Sequence, residues 1–324
     1  MQIESEFSPP PGLGNAHVQT ILGSSTLRSA LIRSSSTAFL SASTERIISC
    51  SDGVRLHGIS TPARSESQGL VILIHGWHGH ADSSYLLETA NHLWLNGFSV
   101  FRLHLRDHGP SHHLNRELFH SVRIMEVVEA VAQIVAEHPL QRHFLAGFSL
   151  GGNFALRVGL RATNHAIDLD RIVAVCPVLD PRTTMDLLSE SLIYHQYFIR
   201  KWRSALLEKL AHYPDYDYRA ALEGMRSMRE MNAFFVPRYT GFADTHSYLS
   251  AYALTGDQLS TLDVPSHLII AADDPVIPAA DLARITQPPN MTVELSAHGG
   301  HCAFLDRFSL RSWIPDRILA LLNH

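Results

Sequence analysis

Cysteine is scarce, with only Cys50, Cys176 and Cys302 among 324 residues. So few, and an odd number, exclude a disulfide framework and point to a reducing, cytoplasmic setting. Basic charge is also short. Lys and Arg total 26 against 31 Asp and Glu, a net charge of −5. That balance argues against a nucleic-acid partner, because phosphate contacts need clustered cations. No apolar run approaches the roughly 18 residues of a membrane span, so no integral membrane segment is expected. The first seven residues, Met1 to Phe7, carry two acids and no basic stretch, so no secretion signal is expected. An apolar fraction of 45% with 18% charged residues excludes disorder, collagen and coiled coil, and leaves ample material for a core. Histidine is the residue in excess, at 21.

No internal repeat is present. Residues 8–14 are rich in proline and glycine and read as a stiff, non-helical lead-in. Residues 24–43 are rich in Ser and Thr and read as a loosely packed helix or loop. From about residue 45 the pattern becomes regular. Glu45 to Cys50 and Val54 to Ser60 flank Ser51-Asp52-Gly53, a hairpin signal. Leu70 to Ile74 is a continuous apolar run, as in a strand buried on both faces. Further strands are expected at 99–105, 143–146, 171–176, 267–271 and 291–295. Helices are expected at 83–96, 121–137, 150–160 and 306–322. This alternation predicts an α/β protein with an open, mostly parallel sheet and helices on both faces. The interval between the strands at 171–176 and 267–271 is too long for one crossover and is rich in aromatics. Residues 181–245 are expected to form an inserted helical cap. Residues 1–180 and 246–324 are then the core, with 1–44 as lead-in.

Gly147-Phe148-Ser149-Leu150-Gly151 follows an expected strand and opens an expected helix. This is the G-x-S-x-G elbow in its required context. The turn is so sharp that a side chain two residues before or after the serine would crowd it, hence glycine at both places. Ser149 is the candidate nucleophile. A serine hydroxyl needs a histidine base held by a carboxylate, in the chain order Ser, acid, His. Two acids, Asp273 and Asp274, follow the strand at 267–271. Neighbouring residues point apart, so only one can face the base. Asp274, directly before Pro275, is the expected acid, and Asp273 is expected to shape the turn. After the last strand stands His298-Gly299-Gly300-His301-Cys302. His301 is the expected base, His298 a loop residue and Cys302 a packing residue. The loop His75-Gly76-Trp77-His78-Gly79-His80 is expected to supply one oxyanion donor. The donors are then the Trp77 and Leu150 backbone N–H groups.

Beyond the elbow, several segments resemble one family. These are Asn15-Ala16-His17-Val18-Gln19-Thr20, the His75 loop, Phe119-His120-Ser121, Gly147 to Asn153, Met228 to Tyr248, Asp274-Pro275 and Gly299-Gly300-His301. Together they resemble the YheT-like (embryogenesis-associated) branch of the α/β-hydrolase superfamily, nearly end to end. The resemblance implies the α/β-hydrolase fold and a serine hydrolase of carboxylic esters, with Ser149, Asp274 and His301 as its triad. Some members of that branch are phospholipases and others pass medium-chain acyl groups to alcohols. Arg106-Asp107-His108-Gly109-Pro110 and Asn232 depart from the family pattern, which bears on substrate preference.

The expected activity is therefore serine-dependent cleavage of short- to medium-chain or lipid esters through an acyl-enzyme. Acyl transfer to an alcohol and phospholipase action are the alternatives, and a non-catalytic binding protein is the remote one. The cap aromatics Tyr194, Phe198, Phe234 and Phe235 are candidates for the substrate wall. Met225, Met228 and Met231 suit either that wall or the cap's own core. The histidines of the 75–80 and 104–113 loops lack metal-ligand spacing. They read as polar loop residues, and no metal or cofactor is expected.

Overall fold

The computed structural model describes residues 1–323. The strands are β1 (Gln2–Glu4), β2 (Thr44–Ser49), β3 (Arg55–Thr61), β4 (Leu70–Ile74), β5 (Ser99–Leu103), β6 (His143–Phe148), β7 (Arg171–Val175), β8 (Ser266–Ala271) and β9 (Met291–Ser296). They form one nine-stranded sheet in the order β1-β9-β8-β7-β6-β4-β5-β3-β2. Every neighbouring pair is parallel except β2–β3 and β3–β5, so β3 alone runs against the rest. This is the expected α/β-hydrolase architecture of a mostly parallel sheet flanked by helices.

The apolar runs explain themselves by burial on both faces. Leu70, Ile72 and Ile74 of β4 belong to one core cluster, while Val71 and Leu73 belong to the other. β7 and β8 alternate the same way, with Ile172, Ala174, Leu268 and Ile270 on one face and Val173, Val175, Ile269 and Ala271 on the other. A period of two sends successive side chains to opposite layers, and with helices over both layers no polar face is left. The edge strand β2 is different, carrying exposed, charged Glu45 and Arg46, as edges do to avoid pairing with other chains.

The order also fixes where a site can form. From β4 the chain passes to β5 on one side, then crosses back to β6 on the other. In open sheets the crevice outside the carboxyl ends at such a reversal is the place for a ligand.

Three elements differ from expectation. β1 carries no sequence signal, because Gln2-Ile3-Glu4 is short and polar, and it becomes a strand only by pairing with β9. Residues 24–43 are firmly anchored rather than loose. Helices Thr26–Ser35 and Thr37–Ser41 bury Phe39 fully, and the Arg28 guanidinium bonds to Glu88, Ser84 and the Gly23 carbonyl. The closing helix is Ile314–Leu322 rather than 306–322. Pro315 lies in its first turn, where a missing N–H costs nothing but beyond which a helix cannot extend backwards. Leu305 instead bridges Ser312, with Leu310 in the left-handed region at φ 60°.

Between β7 and β8 the chain runs through five helices, Pro181–Glu190, Leu192–His212, Arg219–Gly224, Met228–Tyr239 and Thr245–Ser250. Met225, Met228 and Met231 are buried among these helices. A buried ion pair ties them to the sheet. Lys209 of Leu192–His212 donates to Asp107 Oδ1 at 2.7 Å, to the His112 carbonyl at 3.2 Å and to the Asn115 carbonyl. Asp107 accepts from the Phe119 N–H through its other oxygen. Both side chains are almost fully buried, at 1% and 8% exposure. Removing one partner strands a buried charge. Lys209→Met should therefore destabilise the fold by about 3–5 kcal/mol, and Asp107→Asn on top of it should restore part of the loss. Urea unfolding of the single and double variants measures both.

Candidate active site

The site is built at the carboxyl ends of β4, β6, β8 and β9. Ser149 sits between β6 and the helix Leu150–Gly159 with φ 54° and ψ −120°, a left-handed backbone that an L-residue adopts only when its surroundings impose it. The neighbours leave no room for side chains. A Cβ on Gly147 would lie 2.1 Å from the Gly151 carbonyl oxygen, and one on Gly151 would lie 2.3 Å from that of Ile74. The helix start places its unpaired N–H groups and positive dipole end beside the serine oxygen.

The structure brings Ser149, Asp274 and His301 together. His301 Nε2 lies 3.0 Å from Ser149 Oγ, and its Nδ1 lies 2.9 Å from Asp274 Oδ2. Asp274 is held by the Val276 and Ile277 N–H groups, which donate to Oδ1 at 2.8 and 3.0 Å. Asp273 faces elsewhere. It accepts from the Gly300 N–H at 3.0 Å and lies 3.4 Å from His298 Nδ1, so the adjacent pair divides between the two histidines. Burial pushes the His301 imidazole towards its neutral form, but the Asp274 carboxylate and neighbouring Cys302 outweigh it and hold the ring well above its ordinary pKa. A hydroxyl bonded to an imidazole that is backed by a carboxylate can lose its proton as it attacks an electrophile.

Within the loop after β4, most N–H groups have partners. Gly76 donates to Tyr85 Oη, His78 to His108 Nε2 and Gly79 to the Gly76 carbonyl. Among the described residues, Trp77 N–H and Leu150 N–H have no acceptor on another element. The Gly76 Cα is close enough to the elbow that a Cβ there would sit 3.2 Å from Ser149 Cβ.

Above the serine opens a cavity of about 1380 Å³. Tyr194 and Phe198 line it, and Trp77 stacks on Phe198 with ring centroids 5.5 Å apart. Phe234 and Phe235 are not among its lining residues, and neither are the three methionines. Phe235 packs instead on Trp202, Tyr218 and Tyr239, because the face of Met228–Tyr239 that carries it turns into the helices' own core.

Sequence reasoning missed the part played by the lead-in. Thr20 Oγ1 accepts the His301 backbone N–H at 2.9 Å. Gln19, fully buried, donates to the Leu13 and Leu305 carbonyls and accepts from the Leu305 N–H. Thr20 and Ile21 also line the cavity. The available signal was the Asn15–Thr20 motif, whose role no local pattern could reveal.

The histidine-rich loops are held by their own rings. His75 Nδ1 bonds the Gly76 carbonyl at 2.7 Å while Nε2 accepts from the Leu105 N–H. His108 Nδ1 bonds the Arg106 carbonyl while Nε2 accepts from the His78 N–H. His104 Nε2 accepts from the Ala81 N–H, and its Nδ1 lies 2.8 Å from His57 Nδ1. Each ring must be neutral to accept. Burial, with neighbouring histidines adding to it, lowers the pKa of His75 and His104 well below the ordinary value, and burial brings His108 down to about 4.

The chain belongs to the alpha/beta hydrolase fold family, whose pattern matches residues 69–308. It is similar to YheT of Escherichia coli (strain K12), at 26% identity over 97% of this chain and 92% of that protein. It is also similar to the medium-chain fatty acid ethyl ester synthase/esterase 2 of Saccharomyces cerevisiae, at 23% identity over 77% of this chain and 60% of that protein. Among solved structures, an esterase of Pyrococcus furiosus shares the fold with a TM-score of 0.56, at 17% identity over 87% of this chain and 91% of that one. The protein is thus an esterase-like α/β hydrolase. No helix among the described residues is long and apolar enough to cross a membrane.

The neutral histidines have a consequence for stability. Their folded pKa lies below the unfolded value of about 6.5, so the unfolded chain binds more protons as pH falls, and stability drops. For His108 the loss accrues between about 6.5 and about 4 and amounts to a few kcal/mol. The thermal midpoint should fall steadily from pH 7 to pH 5, and His108→Gln should flatten that slope whatever it does to the midpoint itself.

Proposed function

We propose that the protein is a serine hydrolase of carboxylic esters. The single observation that carries this is the chain of contacts from Ser149 Oγ through His301 to buried Asp274, at 3.0 and 2.9 Å. Ser149 attacks the ester carbonyl while His301 Nε2 takes its proton. Asp274 fixes the tautomer and stabilises the imidazolium. The negative charge that develops on the carbonyl oxygen is taken up by the Trp77 and Leu150 N–H groups, which have no competing acceptor on another element among the described residues. A donor so placed contributes about 3–4 kcal/mol to the transition state. His301 returns its proton to the leaving alcohol, and a water then repeats the sequence to free the acid.

The helices of residues 181–245 are read as the cap over this site. Ile21, Val178, Leu188 and Phe198 give the cavity an apolar wall, which suits a short- to medium-chain acyl group or a lipid ester. The name of the yeast relative adds a second acceptor, an alcohol that takes the acyl group in place of water. Both routes share the acyl-enzyme on Ser149 and part only in its last step.

A panel of p-nitrophenyl esters from acetate to palmitate tests the reading. Ser149→Ala should lower kcat by roughly 10⁴-fold or more with the circular dichroism spectrum unchanged. Undiminished turnover in that variant would rule the serine out. Ethanol in the assay separates the two acceptors by whether ethyl ester appears.

The pH profile makes a further expectation. Only neutral His301 can accept the serine proton, and its pKa is raised. The acid limb of kcat/KM should therefore lie above the ordinary imidazole value of about 6.5. Asp274→Asn should move the limb downwards and reduce kcat by on the order of 10⁴. A limb that stays in place in that variant would deny Asp274 its role.

A further inference from the structure

We propose that Cys176, His301 and Cys302 form a binding site for a soft divalent cation of the zinc type, and that a cation held there blocks the hydrolytic centre. The first half stands on geometry alone, and the second rests on the serine hydrolase reading above. The two sulfurs and the imidazole nitrogen all lie within 4.8 Å of one another, with Cys302 Sγ 4.0 Å from His301 Nε2. Ligands around a tetrahedral zinc, with bonds near 2.3 Å to sulfur and 2.0 Å to nitrogen, are separated by about 3.5–3.8 Å. A contraction of about 1 Å or less would close the site.

Four features favour a cation there. First, both thiols are buried and hold only weak contacts, Cys302 Sγ to the Val175 carbonyl at 3.6 Å and Cys176 Sγ to the Gly300 carbonyl at 4.0 Å. Second, Cys176 and Cys302 both have left-handed backbones, at φ 44° and 58°. Such strain survives only where packing imposes it, and here it sets two sulfurs beside one imidazole. Third, Asp274 on Nδ1 gives His301 the carboxylate partner that orients metal-binding imidazoles and strengthens them as ligands. Fourth, two thiolates cancel the two charges of the ion, so the loaded site is neutral and its burial is tolerable.

Binding would release two protons from the Cys176, Cys302 and His301 cluster to solvent. It would occupy the Nε2 lone pair that otherwise receives the Ser149 proton, beside the cavity that His301 and Cys302 line. Hard cations such as Mg²⁺ prefer oxygen ligands and should not bind. Sequence spacing gives no hint of this site, because Cys176 follows β7 directly and the other two ligands follow β9, with β8 between those strands.

The test uses the full chain with its thiols kept reduced. Cd²⁺ is titrated into wild type, Ser149→Ala, Cys176→Ala, Cys302→Ala and Cys50→Ala, and the ultraviolet thiolate-to-cadmium charge-transfer band is recorded. Wild type, Ser149→Ala and Cys50→Ala should each take up one ion with the band, while Cys176→Ala and Cys302→Ala should lose it. Circular dichroism confirms that each variant is folded. In parallel, the ratio of ester turnover without and with Zn²⁺ is read in wild type, Cys176→Ala, Cys302→Ala and Cys50→Ala, so that altered basal rates cancel. At free Zn²⁺ about ten times its Kd, the wild-type rate should fall about tenfold and recover on addition of EDTA. The ratio should stay near one in both cysteine variants. No band in wild type, a band that survives in both cysteine variants, or equal inhibition of all variants would overturn the proposal. Cadmium uptake by Ser149→Ala does not depend on turnover, so failure of the ester reading and failure of the metal site are told apart.

Discussion

The sharpest constraint on this molecule is the turn at Ser149. A strand must become a helix within one residue, and the backbone there is left-handed. That conformation costs about 1–3 kcal/mol and persists only under compulsion from packing. The compulsion comes from three sides. Gly147 and Gly151 let the elbow close on itself, and Gly151 presses against the carbonyls that end β4. The Ser149 N–H is tied to the Val175 carbonyl of β7 at 2.9 Å. β4, β6 and β7 are adjacent in the sheet, so the strain is held by its most buried part. The loop after β4 is thereby brought against the serine, with the Trp77 N–H bonded to no other element among the described residues.

Around that turn the loops are organised by neutral imidazoles. His75, His104 and His108 each accept from a backbone N–H that would otherwise be buried without a partner. A buried orphan N–H costs about 1–3 kcal/mol. A neutral ring can also donate from its second nitrogen, as His75 and His108 do to carbonyls, so one side chain satisfies two backbone groups. This accounts for part of the histidine excess. His301 has the opposite character. It is slightly less enclosed, and its carboxylate partner favours the charged form. Among the described residues, His75, His104 and His108 have no carboxylate in hydrogen-bond contact; Glu45 lies 3.7 Å from the His57 that His104 touches. The same residue type is held neutral or favours the charged form according to the group bonded to it.

These relations show what a linear reading can reach. Strands buried on both faces were legible because unbroken apolar runs suit little else. The elbow was legible because its Gly-x-Ser-x-Gly spacing is local, although only Gly147 is dictated by a neighbour within five residues, while Gly151 answers to the carbonyls that end β4. Asp274 and His301 were legible as a pair because chain order constrains them to follow particular strands. The rest depends on long-range pairing. β1 exists only through register with β9. Thr20 meets His301 from the other end of the chain. The last helix starts at Ile314 and not at Asp306, because Pro315 in its first turn keeps it from extending back. Phe234 and Phe235 were attractive as aromatics, but composition does not say which way a helix faces.

The inserted helices and the sheet are coupled through one loop, which bears on how the site is kept in shape. Asp107 follows β5, accepts Lys209 from Leu192–His212, and holds the Phe119 N–H. Its neighbour His108 accepts the His78 N–H, next to Trp77. Trp77 in turn packs against Phe198 and Trp202 of the same helix that carries Lys209. One helix thus grips the loop after β5 by charge and the loop after β4 by aromatic contact. A shift of that helix cannot enlarge the cavity without also loading the loop that carries the Trp77 N–H. Cavity shape and the electrostatics at the serine are therefore not independent variables in this fold. The departure at Asp107 from the family's sequence pattern lies at this joint, where a change in packing reaches both.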